Sequence, residues 1–235
     1  MSFFQDMFSI FKKRELAFLE SYKESEDVYS FLFKKENDVT WKAGQYGLFI
    51  ITHRKVKNST KPFSIASAPL EDVVRITTRI SDQPSDYKKA LLELKQGMKI
   101  KMGGPVGSFH LDHTKPSLLI AGGIGITPFR AMLKQMAAAG NKGGQPIQLL
   151  YLDSNKSYLY KDELDALANQ LSFKVTYLDS RDELEQEMNQ YINLHKDKAN
   201  YLIAGPKSIV DSLSSTIKQN NIPKRNIQKD AFFGY

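Results

Sequence analysis

Residues 117–129 read Ser117-Leu118-Leu119-Ile120-Ala121-Gly122-Gly123-Ile124-Gly125-Ile126-Thr127-Pro128-Phe129. The apolar run Leu118 to Ala121 has the character of a buried strand. It breaks at Gly122, Gly123 and Gly125, then resumes with helical spacing through Phe129, Met132, Leu133 and Met136. A strand, a glycine turn and a helix leave unpaired N–H groups at the first helical turn, where the helix dipole is positive. Glycine lets a diphosphate approach that backbone closely, so the turn is a candidate phosphate cradle. Pro128 suits the first helical turn, and Thr127 is expected to cap it while offering a hydroxyl to an anion. The same glycines also suit a tight strand-to-helix connection that binds nothing.

Downstream of this turn, strands are expected at 117–121, 147–152, 173–178 and 199–204. Helices are expected at 127–139, 160–170, 182–193 and 207–219. Such alternation implies a parallel sheet covered on both faces, with ligands at the carboxyl ends of its strands. Upstream the rhythm is different. Short strands are expected at Glu15–Tyr22, Val28–Phe33, Tyr46–Thr52, Phe63–Ser67 and Val73–Ile80, with one helix at Ser85–Leu94. They read as a small antiparallel β-barrel. Polar, proline-ended Asp112-His113-Thr114-Lys115-Pro116 is the expected boundary. Three segments result: 1–14, 15–113 and 114–235.

The 235 residues suffice for one large or two modest cores, and 41% hydrophobic with 25% charged residues is ordinary for a soluble globular protein. No apolar run approaches the ~20 residues of a membrane helix, and no signal peptide is evident, so a cytoplasmic location is expected. With zero cysteines, disulfides, iron–sulfur clusters and thiolate zinc sites are excluded within this chain. The net charge of +7 suits an acidic protein partner. No nucleic-acid-binding module is present; His53-Arg54-Lys55-Val56-Lys57 lacks the interleaved aromatics of a single-strand platform. His110 and His113 lie three apart without a third ligand, and no metal site is expected. In residues 1–14, Phe3, Met7 and Phe11 form one helical stripe beside Phe4 and Phe8. That stripe either packs on its own protein or contacts a partner or membrane surface.

Five signals follow one another along the chain: Lys61-Pro62-Phe63-Ser64, Gly103-Gly104-Pro105-Val106-Gly107-Ser108-Phe109, the turn at 122–128, Ala204-Gly205-Pro206 and Phe232-Phe233-Gly234-Tyr235. Over residues 15–235 this series resembles the ferredoxin–NADP reductase family, a flavin-binding barrel followed by an α/β nicotinamide nucleotide domain. The resemblance implies that Lys61, Phe63 and Ser64, with Pro62 between them, occupy the family's Arg-x-Tyr-Ser flavin motif. Lysine there offers a point charge where guanidinium would grip two oxygens, which leaves FAD and FMN both open. Ser85 would open a helix aimed at the flavin pyrophosphate, or serve as a plain N-cap. Gly122, Gly123, Gly125 and Thr127 would take the nucleotide pyrophosphate, and Gly205 and Pro206 would line the nicotinamide pocket. Ala204 stands where many relatives carry cysteine.

Ser180 and Arg181 resemble the pair that holds a 2′-phosphate, which favours NADPH over NADH; Ser180 with Glu183 also reads as a capping box. Tyr235 would cover the flavin and move aside for nicotinamide, or belong to a frayed tail. The expected activity is hydride transfer from NADPH to FAD, assisted by Ser64 and Tyr235, then single-electron delivery to a small acidic carrier such as ferredoxin or flavodoxin. Lys34, Lys35, Arg54, Lys55 and Lys57 would steer that carrier. The alternatives are a reductase of free flavin or ferric chelates, and a catalytically silent binding module on the same fold.

Overall fold

The computed structural model describes residues 12–140, 145–171 and 173–232. The aromatic stripe through Phe11 and the terminal Tyr235 therefore lie outside the described residues. Two compact units divide the chain, Met1–His110 and Leu111–Tyr235. No described helix is long and apolar enough to cross a membrane.

The first unit is a six-stranded antiparallel sheet, β1 (Arg14–Ser25), β2 (Val28–Lys34), β3 (Tyr46–Ile50), β4 (Thr60–Ser64), β5 (Val73–Arg79) and β6 (Lys99–Val106), with helix α1 (Asp86–Leu92) after β5. The strand order is β4-β3-β6-β1-β2-β5. Alternation drives the curl: Phe31, Phe33 and Phe49 are wholly buried, and each such ring contributes about 2–3 kcal/mol of burial. The edges β4 and β5 meet just past β4, making the sheet barrel-like. There the Ala66 N–H donates to Arg75 O at 2.8 Å, and Ser67 Oγ donates to Val73 O at 2.6 Å. This crossing explains why β4 is Thr60–Ser64 rather than the expected Phe63–Ser67. Ile65 and Ala66 are buried like strand residues but leave the β3 ladder to reach β5.

The second unit holds β7 (Ser117–Gly122), β8 (Ile147–Leu152), β9 (Lys174–Leu178), β10 (Asn200–Pro206) and β11 (Ile227–Phe232). Helices α2 (Ile126–Ala138), α3 (Lys161–Leu171), α4 (Arg181–His195) and α5 (Lys207–Gln219) connect them. Every pairing is parallel, in the order β11-β10-β7-β8-β9. From β7 the chain steps outward through β8 to β9, then returns to place β10 on the other side of β7. Right-handed crossovers put α2 and α3 on one face and α4 and α5 on the other. Leu118, Ile120 and Ile203 share a core with Leu184, Met188, Val210 and Leu213 of α4 and α5. The reversal of direction makes a switch point between β7 and β10, where the strand ends open a crevice for a ligand.

Candidate nucleotide and flavin sites

At the carboxyl end of β7 the chain tightens into a short turn, Gly123–Gly125, before α2. Gly123 needs a left-handed conformation, with φ of 50°. Gly125 has an ordinary helical φ of −60° and is required for a different reason. A Cβ there would stand 2.1 Å from Ala204 O and 2.7 Å from Gly205 N. A Cβ on Gly205, whose φ is 150°, would stand 3.0 Å from Gly122 O. Beside them, the Pro206 ring lies 3.3 Å from where a Cβ of Gly122 would be. Thus four of the expected residues, Gly122, Gly125, Gly205 and Pro206, come together at the switch point.

No side chain caps α2 at its N-cap, Gly125, and its first turn holds no acidic residue. The first of its N–H groups, that of Ile126, donates back to Gly123 O, and the positive end of the helix dipole lies at this turn. Thr127 departs from its expected role. It lies one residue inside the helix, is 3% exposed, and its hydroxyl donates to Ile124 O at 3.1 Å. That hydroxyl ties the turn together and caps nothing.

Asp153, which sequence reasoning missed, follows β8 and is 7% exposed. One carboxylate oxygen accepts the N–H of Asn155 at 2.9 Å and of Ser157 at 3.3 Å; the other lies 3.8 Å from a Cβ built on Gly123. The available signal was the Asp-Ser-Asn run after a strand, an Asx-turn pattern that marks a turn without marking a site.

At the end of β9, Ser180 Oγ accepts the Glu183 N–H at 3.3 Å and is the N-cap of α4. Arg181 Nε contacts Glu185 at 3.0 Å, and its Nη2 donates to Ser212. Asp179, just before this pair, is bound to Lys156 at 2.6 Å, and the Lys156 ammonium holds its carboxyl below the usual range.

In the first unit, Lys61 and Pro62 on β4 are exposed, Phe63 is half-buried, and Ser64 is 9% exposed opposite Tyr46 of β3. The Phe63 ring meets Phe49 edge-on at 6.0 Å and Tyr87 of α1 at 5.8 Å. Burial pushes the Tyr87 phenol up, and its hydroxyl donates to Phe49 O at 3.1 Å. Ser85 Oγ accepts the Lys88 N–H at 3.4 Å, the N-cap geometry for α1. Half-buried Lys88 has its ammonium pushed down, first by burial and then by the charges of Lys61 and Arg79. Arg79 binds Asp27 at 2.8 Å. Phe63 provides a flat apolar surface beside α1.

Two of the expected steering residues are occupied within the unit. Lys35 donates to Pro69 O at 2.8 Å and lies over the Trp41 ring, while Arg54 contacts Glu93 at 3.1 Å. Lys34, Lys55 and Lys57 are exposed.

Comparison with known proteins agrees with this geometry. Residues 119–214 match the oxidoreductase NAD-binding domain family. Flavohemoprotein A of Dictyostelium discoideum is 25% identical across 93% of this chain and 60% of its own length. The toluate 1,2-dioxygenase electron transfer component of Pseudomonas putida is 27% identical across 83% of this chain and, again, 60% of its own length. The chain thus spans about three-fifths of each. Ferredoxin-NADP+ reductase from Plasmodium falciparum superposes with a TM-score of 0.79 at 18% identity, over 94% of this chain and 96% of that one. The barrel-like antiparallel unit and the parallel unit with glycines meeting at its switch point thus share the fold of ferredoxin-NADP+ reductase from Plasmodium falciparum, and residues 119–214 carry the oxidoreductase NAD-binding domain.

Proposed function

We propose that the chain is a cytoplasmic NAD(P)H-dependent flavoprotein reductase that binds FAD on its first unit and the nicotinamide nucleotide on its second, and passes electrons singly to a small acidic carrier. The observation that carries this reading is the contact of Gly125 with the Ala204 carbonyl. That all-backbone crossing supports it, because it sets the N-terminus of α2, the positive end of its dipole, at the strand ends where ligands bind. When bound, a flavin accepts electrons as a pair and can release them one at a time.

The chain's own residues bind and orient. Lys61, Lys88 and Arg79 would hold the flavin diphosphate, Phe63 would abut its ring system, and Ser64 would offer a hydroxyl at its edge. Gly122, Gly123 and Gly125 would take the nucleotide diphosphate, and Gly205 and Pro206 would border the nicotinamide. The exposed Lys34, Lys55 and Lys57 support steering of an acidic carrier, which added salt will weaken.

The test is an absorption spectrum of the purified protein, followed by anaerobic addition of NADH and then NADPH. A yellow protein bleached by either nucleotide is expected. A protein that retains no flavin but reduces added free flavin is the diffusible-acceptor enzyme instead, and one that does neither overturns the reading. Removing a point charge from the diphosphate site, Lys61→Ala, is expected to weaken flavin retention roughly tenfold, read from quenching of flavin fluorescence.

NADPH is the proposed coenzyme, because Ser180 and Arg181 stand together at the N-terminus of α4 on the carboxyl edge of the sheet. Arg181→Ala is expected to raise KM for NADPH about tenfold and leave KM for NADH nearly unchanged. Equal effects on both nucleotides would remove the 2′-phosphate role.

A further inference from the structure

The coenzyme preference above leaves a carboxylate to explain. Asp179 lies between the end of β9 at Leu178 and the N-cap Ser180, one residue from the proposed phosphate-binding pair. Unopposed, it would repel a dianion arriving there. Arg181 cannot cancel it alone, since its guanidinium is already shared between Glu185 and Ser212, with Asp182 and Glu183 in the same first turn.

The opposing charge comes from the neighbouring strand's loop. Lys156 Nζ lies 2.6 Å from Asp179 Oδ2, across the carboxyl ends of β8 and β9. The loop holds Lys156 in place by several contacts. Its backbone is left-handed, with φ of 56°, and its N–H donates to Asp153 O at 3.0 Å. On either side the N–H groups of Asn155 and Ser157 donate to the buried Asp153 carboxylate, and the Leu159 N–H donates to the Tyr151 hydroxyl at 3.1 Å. An ammonium has three donors, and Asp179 occupies one. The Lys156 side chain is 71% exposed, so its remaining donors are open to an incoming ligand at little cost.

We propose that Lys156 sets the coenzyme preference, by cancelling Asp179 and lending its free N–H donors to the 2′-phosphate of NADPH. This rests on the reading that the edge formed by Ser180 and Arg181 receives the adenosine end of the nucleotide. Asp179 is the counterpart: without Lys156 it becomes a carboxylate that tolerates a ribose hydroxyl and disfavours a phosphate.

The experiment compares two probes that differ only by that phosphate, adenosine 2′,5′-bisphosphate and 5′-AMP, titrated calorimetrically into the whole protein. Lys156→Gln is expected to weaken the bisphosphate about tenfold and to change 5′-AMP by less than about twofold. Lys156→Gln combined with Asp179→Asn should recover the part of the loss that comes from the uncancelled carboxylate and stay below the wild type, and the kcat/KM ratio of NADPH to NADH should follow the same order. Equal loss for both probes, no loss for either, or equal affinity of the wild type for both would overturn the proposal while leaving the reductase reading intact. Failure of the wild type to bind either probe, together with no bleaching by either coenzyme, would remove both.

Discussion

Gly125→Ala is expected to lower the melting temperature of the second unit by roughly 10 °C or more and to abolish nucleotide binding. The added Cβ would have to occupy a point 2.1 Å from Ala204 O, 2.5 Å from Ala204 C and 2.7 Å from Gly205 N. All three atoms belong to the backbone of β10, which is paired to β7 on one side and β11 on the other. No rotamer change relieves the clash; either α2 or the end of β10 must move by about 1 Å. Overpacking against mobile side chains costs about 1–3 kcal/mol, and rigid backbone puts this substitution at or above the top of that range. The same displacement pulls the α2 N-terminus away from the strand end that positions it. Gly140→Ala is the control, because its Cβ would meet nothing within 4 Å and pays only for a φ of 73°. Thermal unfolding followed by circular dichroism separates the two; a Gly125→Ala protein melting within about 2 °C of the wild type would refute the close approach.

Gly125 also marks how far the chain could be read before its structure was known. The strand–turn–helix at 117–129 is a short-range pattern, and it specified the parallel half because hydrophobic runs and glycine breaks follow local rules. The reason for Gly125 is 79 residues away at Ala204, and no local rule reaches that far. Two strands escaped for local reasons instead. β6 contains Gly103, Gly104 and Pro105, which ordinarily argue against a strand, yet it pairs with both β1 and β3. β11, Ile-Gln-Lys-Asp-Ala-Phe, has a polar middle and borders the sheet, so it lacks the apolar run of the strands beside it. The glycines and Pro206 stood out in the sequence because each performs a backbone task, and the structure brings four of these residues together. The capping role expected of Thr127 failed because a hydroxyl at a helix start can donate to a nearby carbonyl instead of accepting a leading N–H, and only the partner distinguishes them. Asp179 is visible in the sequence beside Ser180 and Arg181, but its ion pair with Lys156 was beyond reach, since their meeting depends on β8 and β9 being neighbours.

A second large effect is expected from a pair with no part in nucleotide chemistry. Arg130 lies in α2, is 2% exposed, and meets Glu163 of α3 through two parallel contacts, Nε to Oε2 at 2.7 Å and Nη2 to Oε1 at 2.8 Å. Its guanidinium also lies 5.2 Å from the Tyr160 ring centre. Lys134 reaches the same carboxylate at 3.0 Å, so α2 and α3 are joined by two cations on one anion. Glu163→Ala takes this carboxylate from a desolvated guanidinium, and removal of one partner from a buried pair costs about 3–5 kcal/mol. Arg130→Met with Glu163→Leu removes both charges and keeps the volume, so it should cost far less, within about 1 kcal/mol of wild type, or even stabilise the unit. Chemical denaturation of the three proteins decides the matter, with the fluorescence of Trp41, the single tryptophan, reporting the first unit separately from the second. Because α2 begins at the glycine turn, Glu163→Ala should also loosen nucleotide binding, and the double variant should restore it. Equal stability of Glu163→Ala and wild type would mean that Arg130 finds water or another anion, and that the two helices are held by their apolar faces alone.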